Sequence, residues 1–409
     1  MADQPPSNLV AQSFTAAPTE SMINMSFPIS GRRLAFFTFA RILLNTLYRM
    51  VYPFLGIFRA ALGVSLEQLS LILTIRAVLG AFAPLFASIG DSRGRRSGMV
   101  VGLALFTLGC SLVLFRQTYT VFALALLLTM LGKYIFDPSL LAYIGDQVTY
   151  AARGRVMALM ELGWSLSFLI GVPLAGFLIA RFGWTAPFGV FAFMGALLLS
   201  GFAFKLTADR APAKAPGERH SFLTVLTSSL ALNGLAIGLS ISAANEVINL
   251  VFGVWLEDAF QLKIAALGAT TAVIGISEFV GEFLVAALVD KLGKPRTVGI
   301  GILLNILAAI GLTQGQGSTI SAVIGLFFFY ITFELTLVSS IPLMSEILPE
   351  KRATMLSSSG ASHSLGRAFG AFLAAPLYQI GIFANLAIAV GFNLIALFAL
   401  WLLTQRKSL

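Results

Sequence analysis

The chain is short of most things from which a soluble enzyme or a metalloprotein is built. Its single cysteine, Cys110, excludes an intrachain disulfide and any thiolate cluster. Its two histidines, His220 and His363, stand far apart and suggest no shared site. No Gly-x-x-x-x-Gly-Lys-Ser/Thr loop is present, so nothing points to ATP, and neither cofactor nor metal is expected. Residues 1 to about 30 lack the basic start and compact apolar core of a signal peptide and read as a flexible tail. Above all the chain lacks charge. Only 11% of its 409 residues are charged, where a soluble domain carries roughly 25%. With 57% hydrophobic residues it has too little polar surface for water, and its long apolar runs predict an all-α membrane protein.

The net charge of +9 would suit a nucleic-acid binder if it were clustered. It is instead scattered through short loops between apolar runs, as orientation signals are, so no nucleic acid is expected and the partner is the bilayer. Spans are expected near Leu34–Phe58, Glu67–Ile89, Ser97–Phe115, Tyr119–Tyr143, Val156–Ala180 and Ala186–Phe204. A second set is expected near Phe222–Trp255, Ile264–Leu288, Thr297–Thr313, Thr319–Met344, Thr354–Ile380 and Phe383–Leu403. Between the sets, residues 205–221 form the only long polar break in the interior. The expected division is therefore a tail over 1–31, a bundle over 32–204, a linker over 205–221 and a second bundle over 222–409. Eighteen basic residues fall on the side of both termini and four on the other, which places both termini in the cytoplasm.

Two charged loops repeat half a chain apart. Ala87-Ser-Ile-Gly-Asp91-Ser-Arg-Gly94-Arg95-Arg96 returns as Ala286-Ala-Leu-Val-Asp290-Lys291-Leu-Gly293-Lys294-Pro-Arg296, with Asp290 lying 199 residues after Asp91. Arg153-Gly154 has a counterpart in Arg352-Ala353 at the same offset. The loop resembles the signature of the major facilitator superfamily of secondary transporters: Gly, three residues, Asp, Arg or Lys, any residue, Gly, two basic residues. Asp91, Gly94, Arg95 and Arg96 match it in one copy, and Asp290, Lys291, Gly293 and Lys294 in the other. Ala87 and Ala286 replace the leading Gly, Ser92 a basic residue, and Pro295 interrupts the last pair. The resemblance implies twelve transmembrane helices in two pseudo-symmetric six-helix bundles, a small-molecule substrate path between them, and alternating access with Asp91 and Asp290 in conformational latches. No clustered nucleophile, base or metal site is visible near an interface, so no enzyme is expected, and a monomer is expected.

Nine ionisable residues stand inside expected spans, where insertion costs about 2.5–3.5 kcal/mol each unless they face a cavity or a partner. They are Arg41, Arg49, Arg76, Lys133 and Asp137 in the first half, and Glu246, Glu278, Glu334 and Arg367 in the second. A basic excess facing an acidic excess suits a cleft between bundles. Lys133 and Asp137 share a helix face, and Asp137 is either a coupling residue or a fixed neutraliser of Lys133 or Arg49. Glu246 and Glu334 have no cation nearby in sequence and rank as likelier to exchange protons. Glu161 and Glu282 lie nearer the cytoplasmic ends, and Glu282 is assigned to the support of the Asp290 loop. Gly163, Gly171, Val172, Pro173 and Gly176 look like a shortened glycine-proline motif of the family's exporters, with Val172 where Gly is expected. The 35 phenylalanines are assigned to lipid contact and packing rather than to a substrate cage. The expectation is a proton-coupled exporter in the cell membrane. An importer, a uniporter, a lipid transporter and a non-transporting receptor remain alternatives.

Overall fold

The structure is a computed structural model, and it describes residues 29–86, 94–148, 150–206 and 223–407. Those residues form twelve consecutive helical units. The first, α1 (Gly31–Met50, resumed as Leu55–Leu62), is bent by 65° at the break. Pro53 lies in that break, where its ring and missing N–H cannot continue the helix. Next come α2 (Leu66–Ala81), α3 (Arg95–Phe115), α4 (Tyr119–Gln147), α5 (Tyr150–Leu166 running through a π turn at Ser167–Gly171 into Val172–Phe182) and α6 (Ala186–Lys205). A short turn at Leu223–Leu226 precedes α7 (Ser229–Asn249, resumed as Phe252–Phe260), α8 (Ile264–Leu292), α9 (Lys294–Leu312), α10 (Thr319–Ser345), α11 (Arg352–Ile380) and α12 (Ile382–Lys407).

Local signals explain several helix starts. Ser65 accepts from the Gln68 amide while the Gln68 side chain returns to the Ser65 amide, which closes the first turn of α2 in a capping box. Helices α3 and α9 start instead from Gly94 and Gly293, both at positive φ (96° and 84°). A side chain at either position would be strained, which is why glycine stands at both places in the repeated loop. The repeat also reaches the breaks, since residues 51–54 interrupt α1 and residues 250–251 interrupt α7.

Among the described residues, nine helices are long and apolar enough to cross a membrane, or ten with the bent pair of α1 taken as one span. Two units fall short for visible reasons. Helix α2 is only sixteen residues long, because a turn at Phe82 ends it before the helical residues 83–86. Helix α11 buries Ser358, Ser362 and His363, and Ser362 donates to the Leu235 carbonyl while His363 meets the Ser242 hydroxyl at 2.8 Å. Its polarity faces protein rather than lipid. The lipid-facing surface carries Phe115, Phe204, Phe283, Phe372 and Phe398, as the composition suggested. Phe54, Phe58, Phe106, Phe122 and Phe188 are fully buried and pack the interior of the first half.

In the first half α3 packs on α4 and α6; in the second α9 packs on α10 and α12. Contact across the halves is made by α2 against α11, by α5 against α8, and by the resumed ends of α1 and α7 against each other. Because successive helices run antiparallel, both described chain ends lie at one end of the molecule, here called the near end. The expected linker and the loop copy containing Asp91 fall almost entirely outside the described residues.

Candidate functional site: a charged cavity between the halves

A cavity of about 610 Å³ lies midway along the helices, between α1, α4 and α5 on one side and α7, α8, α10 and α11 on the other. It opens toward the near end. Along α5 exposure rises from buried Phe168 through Trp164 to Glu161, whose side chain is 53% exposed; along α10 it rises from buried Glu334 to Ile341. The far end is sealed. Gly253 of α7 lies against the Pro53 backbone, and Gln379 of α11 donates to Glu67 of α2. Deeper in, the Tyr52 hydroxyl donates to Glu246 at 2.8 Å and accepts from Arg76 at 2.7 Å, joining α2, α1 and α7 in one buried chain.

The structure gathers seven of the eight pathway candidates, Arg49, Lys133, Asp137, Glu246, Glu278, Glu334 and Arg367, around this cavity. Arg76 stands apart, behind the wall. Its guanidinium donates to the Tyr48 carbonyl at 3.1 Å and lies 4.3 Å from the Tyr48 ring. Arg49 reaches across to Glu278, a buried ion pair between α1 and α8. It also donates to the Trp164 carbonyl at 3.1 Å, and its guanidinium lies 3.4 Å from the Phe168 ring centroid and 4.3 Å from that of Trp164. Two aromatic faces and a carboxylate thus replace the water that a buried guanidinium loses.

Lys133 is held by Asp137 on its own helix and by the Asn45 side-chain oxygen Oδ1 at 2.5 Å. Arg41 approaches Asp137 at 3.7 Å and Glu161 at 3.0 Å. Asp137 thus pairs with Lys133 and Arg41, and Arg49 pairs elsewhere. Glu246 accepts from Asn249 at 3.2 Å as well as from Tyr52. Glu282 lines the cavity and accepts from Ser165 across the interface at 3.4 Å, so it belongs to the cavity wall and not to the Asp290 loop as expected.

Two groups stand out by what they do not touch. Among the described residues neither Glu334 nor Arg367 has a hydrogen-bond or ion-pair partner, and Glu334 is only 4% exposed. Tyr48, Tyr52, Trp164, Phe168, Tyr330 and Phe333 supply an aromatic lining that reasoning from composition had not assigned to the site. The spacing of Tyr48 and Tyr52 on either side of Arg49 carried the only sequence signal for it.

At the near end the loop residues make contacts within each half. Arg95 pairs with Asp146 at 3.6 Å, and Arg96 donates to the Phe202 carbonyl at 3.4 Å and to that of Ala203. Lys294 pairs with Glu346 in the equivalent place, joining the start of α9 to the end of α10. Asp290 and Lys291 are exposed, whereas Asp91 lies outside the described residues.

Comparison with known proteins agrees with this architecture. The sequence profile of the Major Facilitator Superfamily matches residues 34–245 and 234–409. The chain belongs to this superfamily. It is 25% identical over 338 residues to the uncharacterized MFS-type transporter YwfA of Bacillus subtilis, covering 80% of this chain and 81% of that one. It is 24% identical over 280 residues to the multi-drug resistance efflux pump PmrA of Streptococcus pneumoniae, covering 66% and 70%. The crystal structure of the nucleoside transporter NupG superposes with a TM-score of 0.75 at 12% identity, over 91% of this chain and 99% of that one. The human organic anion transporter MFSD10 gives 0.64 at 22% identity over the same shares. These two likenesses show the fold alone. The chain is a multi-pass membrane transporter of the superfamily, with twelve helices in two pseudo-symmetric bundles.

Proposed function

We propose that the protein is a secondary active transporter that moves a small molecule by alternating access, coupled to protons and working as an exporter. One observation carries the reading. A charged cavity between two halves is sealed at one end and open at the other, and it contains a buried carboxylate, Glu334, with no partner among the described residues. A carboxylate without a fixed cation is free to take up a proton in one conformation and release it in the other. On the charge bias of the loops, the near end is cytoplasmic and the cavity is open inward. The pairing of Asp137 with Lys133 and Arg41 supports its role as a charged organiser rather than the titrating group.

Export is supported by two features. PmrA, an efflux pump by name, matches two thirds of the chain. The glycine-proline segment of α5 also lies on the seam between halves: Gly176 and Pro173 face Gly268 of α8, so the two helices approach without side chains between them. In this reading the bundles over 32–204 and 222–409 rock about the cavity, and the loops of Asp91 and Asp290 latch the near end when it closes.

The test is proton movement in proteoliposomes, followed by a pH-sensitive dye, with a substrate first chosen by thermal-shift screening of sugars, organic anions, amphiphilic cations and lipids. Substrate is expected to drive proton flux in the parent and in Asp137→Asn at reduced rate, and to drive little or none in Glu334→Gln or Glu246→Gln. Parent-like flux in all three variants would show that the coupling proton is carried elsewhere.

A further inference from the structure

The charge balance of the cavity wall identifies what the cavity can take. Arg41, Arg49 and Lys133 are each already matched by a carboxylate of the protein. Arg367 is the one cation on the wall without such a partner among the described residues. Three acids on the wall have no cation within ion-pair distance, Glu246, Glu282 and Glu334, and of these Glu246 is the one on which the Arg367 charge acts most. Glu246 is satisfied by the Tyr52 hydroxyl and the Asn249 amide, and Glu282 has only the Ser165 hydroxyl. Glu334 has nothing.

Glu282 and Glu334 also stand together. Helices α8 and α10 pack closely, and a Cβ built on Gly281 would lie 2.8 Å from the Glu334 Cβ. A side chain at 281 would collide with Glu334, so the glycine seats Glu334 beside the residue that precedes Glu282. The carboxyl groups left without a cation therefore sit on one side of the wall, where a ligand cation could take the place of a proton, and Trp164, Tyr330 and Phe333 also line the cavity.

Resting on the transporter reading above, we infer that the substrate is an organic cation with an apolar, aromatic-compatible body, and that Glu334 and Glu282 hold its charge. A buried carboxylate without a counter-ion is costly, and a ligand cation would remove that cost while the aromatic rings face its body. An organic anion would meet only Arg367 and would be repelled by the pair. The volume of about 610 Å³ lies within the range of sites that enclose a drug-sized molecule.

The test compares two probes of one shape and opposite charge, tetraphenylphosphonium and tetraphenylborate, binding to the purified full chain. Neither can gain or lose a proton, so any difference reports the protein. Saturable binding of tetraphenylphosphonium alone is expected. Loss of the Glu334 charge facing the phosphonium in Glu334→Gln should weaken it about ten- to a hundredfold. Glu282→Gln should weaken it in the same direction, and it decides the matter if Glu334→Gln does not melt cooperatively. Arg367→Gln should tighten binding. Equal or preferred binding of tetraphenylborate, binding of neither probe, or parent-like affinity in both glutamate variants would overturn the assignment. Such a failure would leave the transport mechanism itself untouched, because the opening of the cavity mouth with the far end cross-linked is read without any ligand.

Discussion

Arg49 ties the two halves together in the membrane interior through an ion pair with Glu278. Its ion pair with Glu278 has side chains 4% and 5% exposed, and one Glu278 oxygen has no hydrogen-bond partner in the structure. Breaking such a pair from one side leaves the other charge buried without compensation, which costs about 3–5 kcal/mol, whereas replacing both partners costs far less. Glu278→Gln and Arg49→Gln are therefore each expected to lower the melting temperature of the purified protein strongly. The double variant should recover most of the loss. Additive losses in the double-mutant cycle would mean that the two side chains are not energetically coupled. This pair was not legible in the sequence, because its members are 229 residues apart and nothing local selects either partner. The Lys133–Asp137 pair was legible, since four residues along a helix return to the same face. The isolated charges themselves were visible for the same reason that they are informative: each interrupts an apolar run.

The helices were legible where an apolar run ends in a charged or glycine-rich loop, and less so where a helix breaks inside the run. The bend of α1 at residues 51–54 and the interruption of α7 at 250–251 occur within uncharged sequence, so periodicity gave no boundary there. Those breaks seat the far-end seal. A Cβ built on Gly253 would lie 2.5–2.8 Å from three backbone atoms of Pro53, and backbone cannot turn aside as a side chain can. Gly253→Ala is thus expected to push the resumed ends of α1 and α7 apart and to favour opening at the far end. Hydrogen–deuterium exchange should rise over residues 51–58 and 250–258, while α3 and α6, which lie away from the seam, keep the parent's protection. Unchanged exchange over those two segments would mean that the contact is not part of the seal. The lining aromatics were less legible still, because composition cannot separate a tyrosine facing a cavity from one facing lipid.

At the scale of the whole molecule the repeat was plain in the sequence and recurs in the contacts: Arg95–Asp146 in one half has Lys294–Glu346 in the other. What the sequence could not supply was the conformation, which depends on which contacts between the halves are made at one moment. Here the far end is closed and the near end open, so alternating access requires the far-end contacts to break in each cycle. Glu67 on α2, half-buried, and Gln379 on α11, exposed, are hydrogen-bonded across that seam, which makes them the place to hold it shut. Cysteines at these two positions, joined by a short bifunctional maleimide, should stop turnover in proteoliposomes. After cross-linking, hydrogen–deuterium exchange around Glu161 and Trp164, at the cavity mouth, should stay at its fully open level, because the near end can no longer close. A maleimide linked through a disulfide would let a reductant cut the tether, and turnover should then return. Cys110 is buried and will not compete for either reagent. Both readouts follow from one rigid-body motion: sealing one end must hold the other open, since a cavity open at both ends would be a channel. Turnover that survives the tether would mean that the far end opens without separating α2 from α11. A mouth that still closes under the tether would mean that the two ends are not coupled, and the rocking mechanism would then fail irrespective of which substrate the cavity takes.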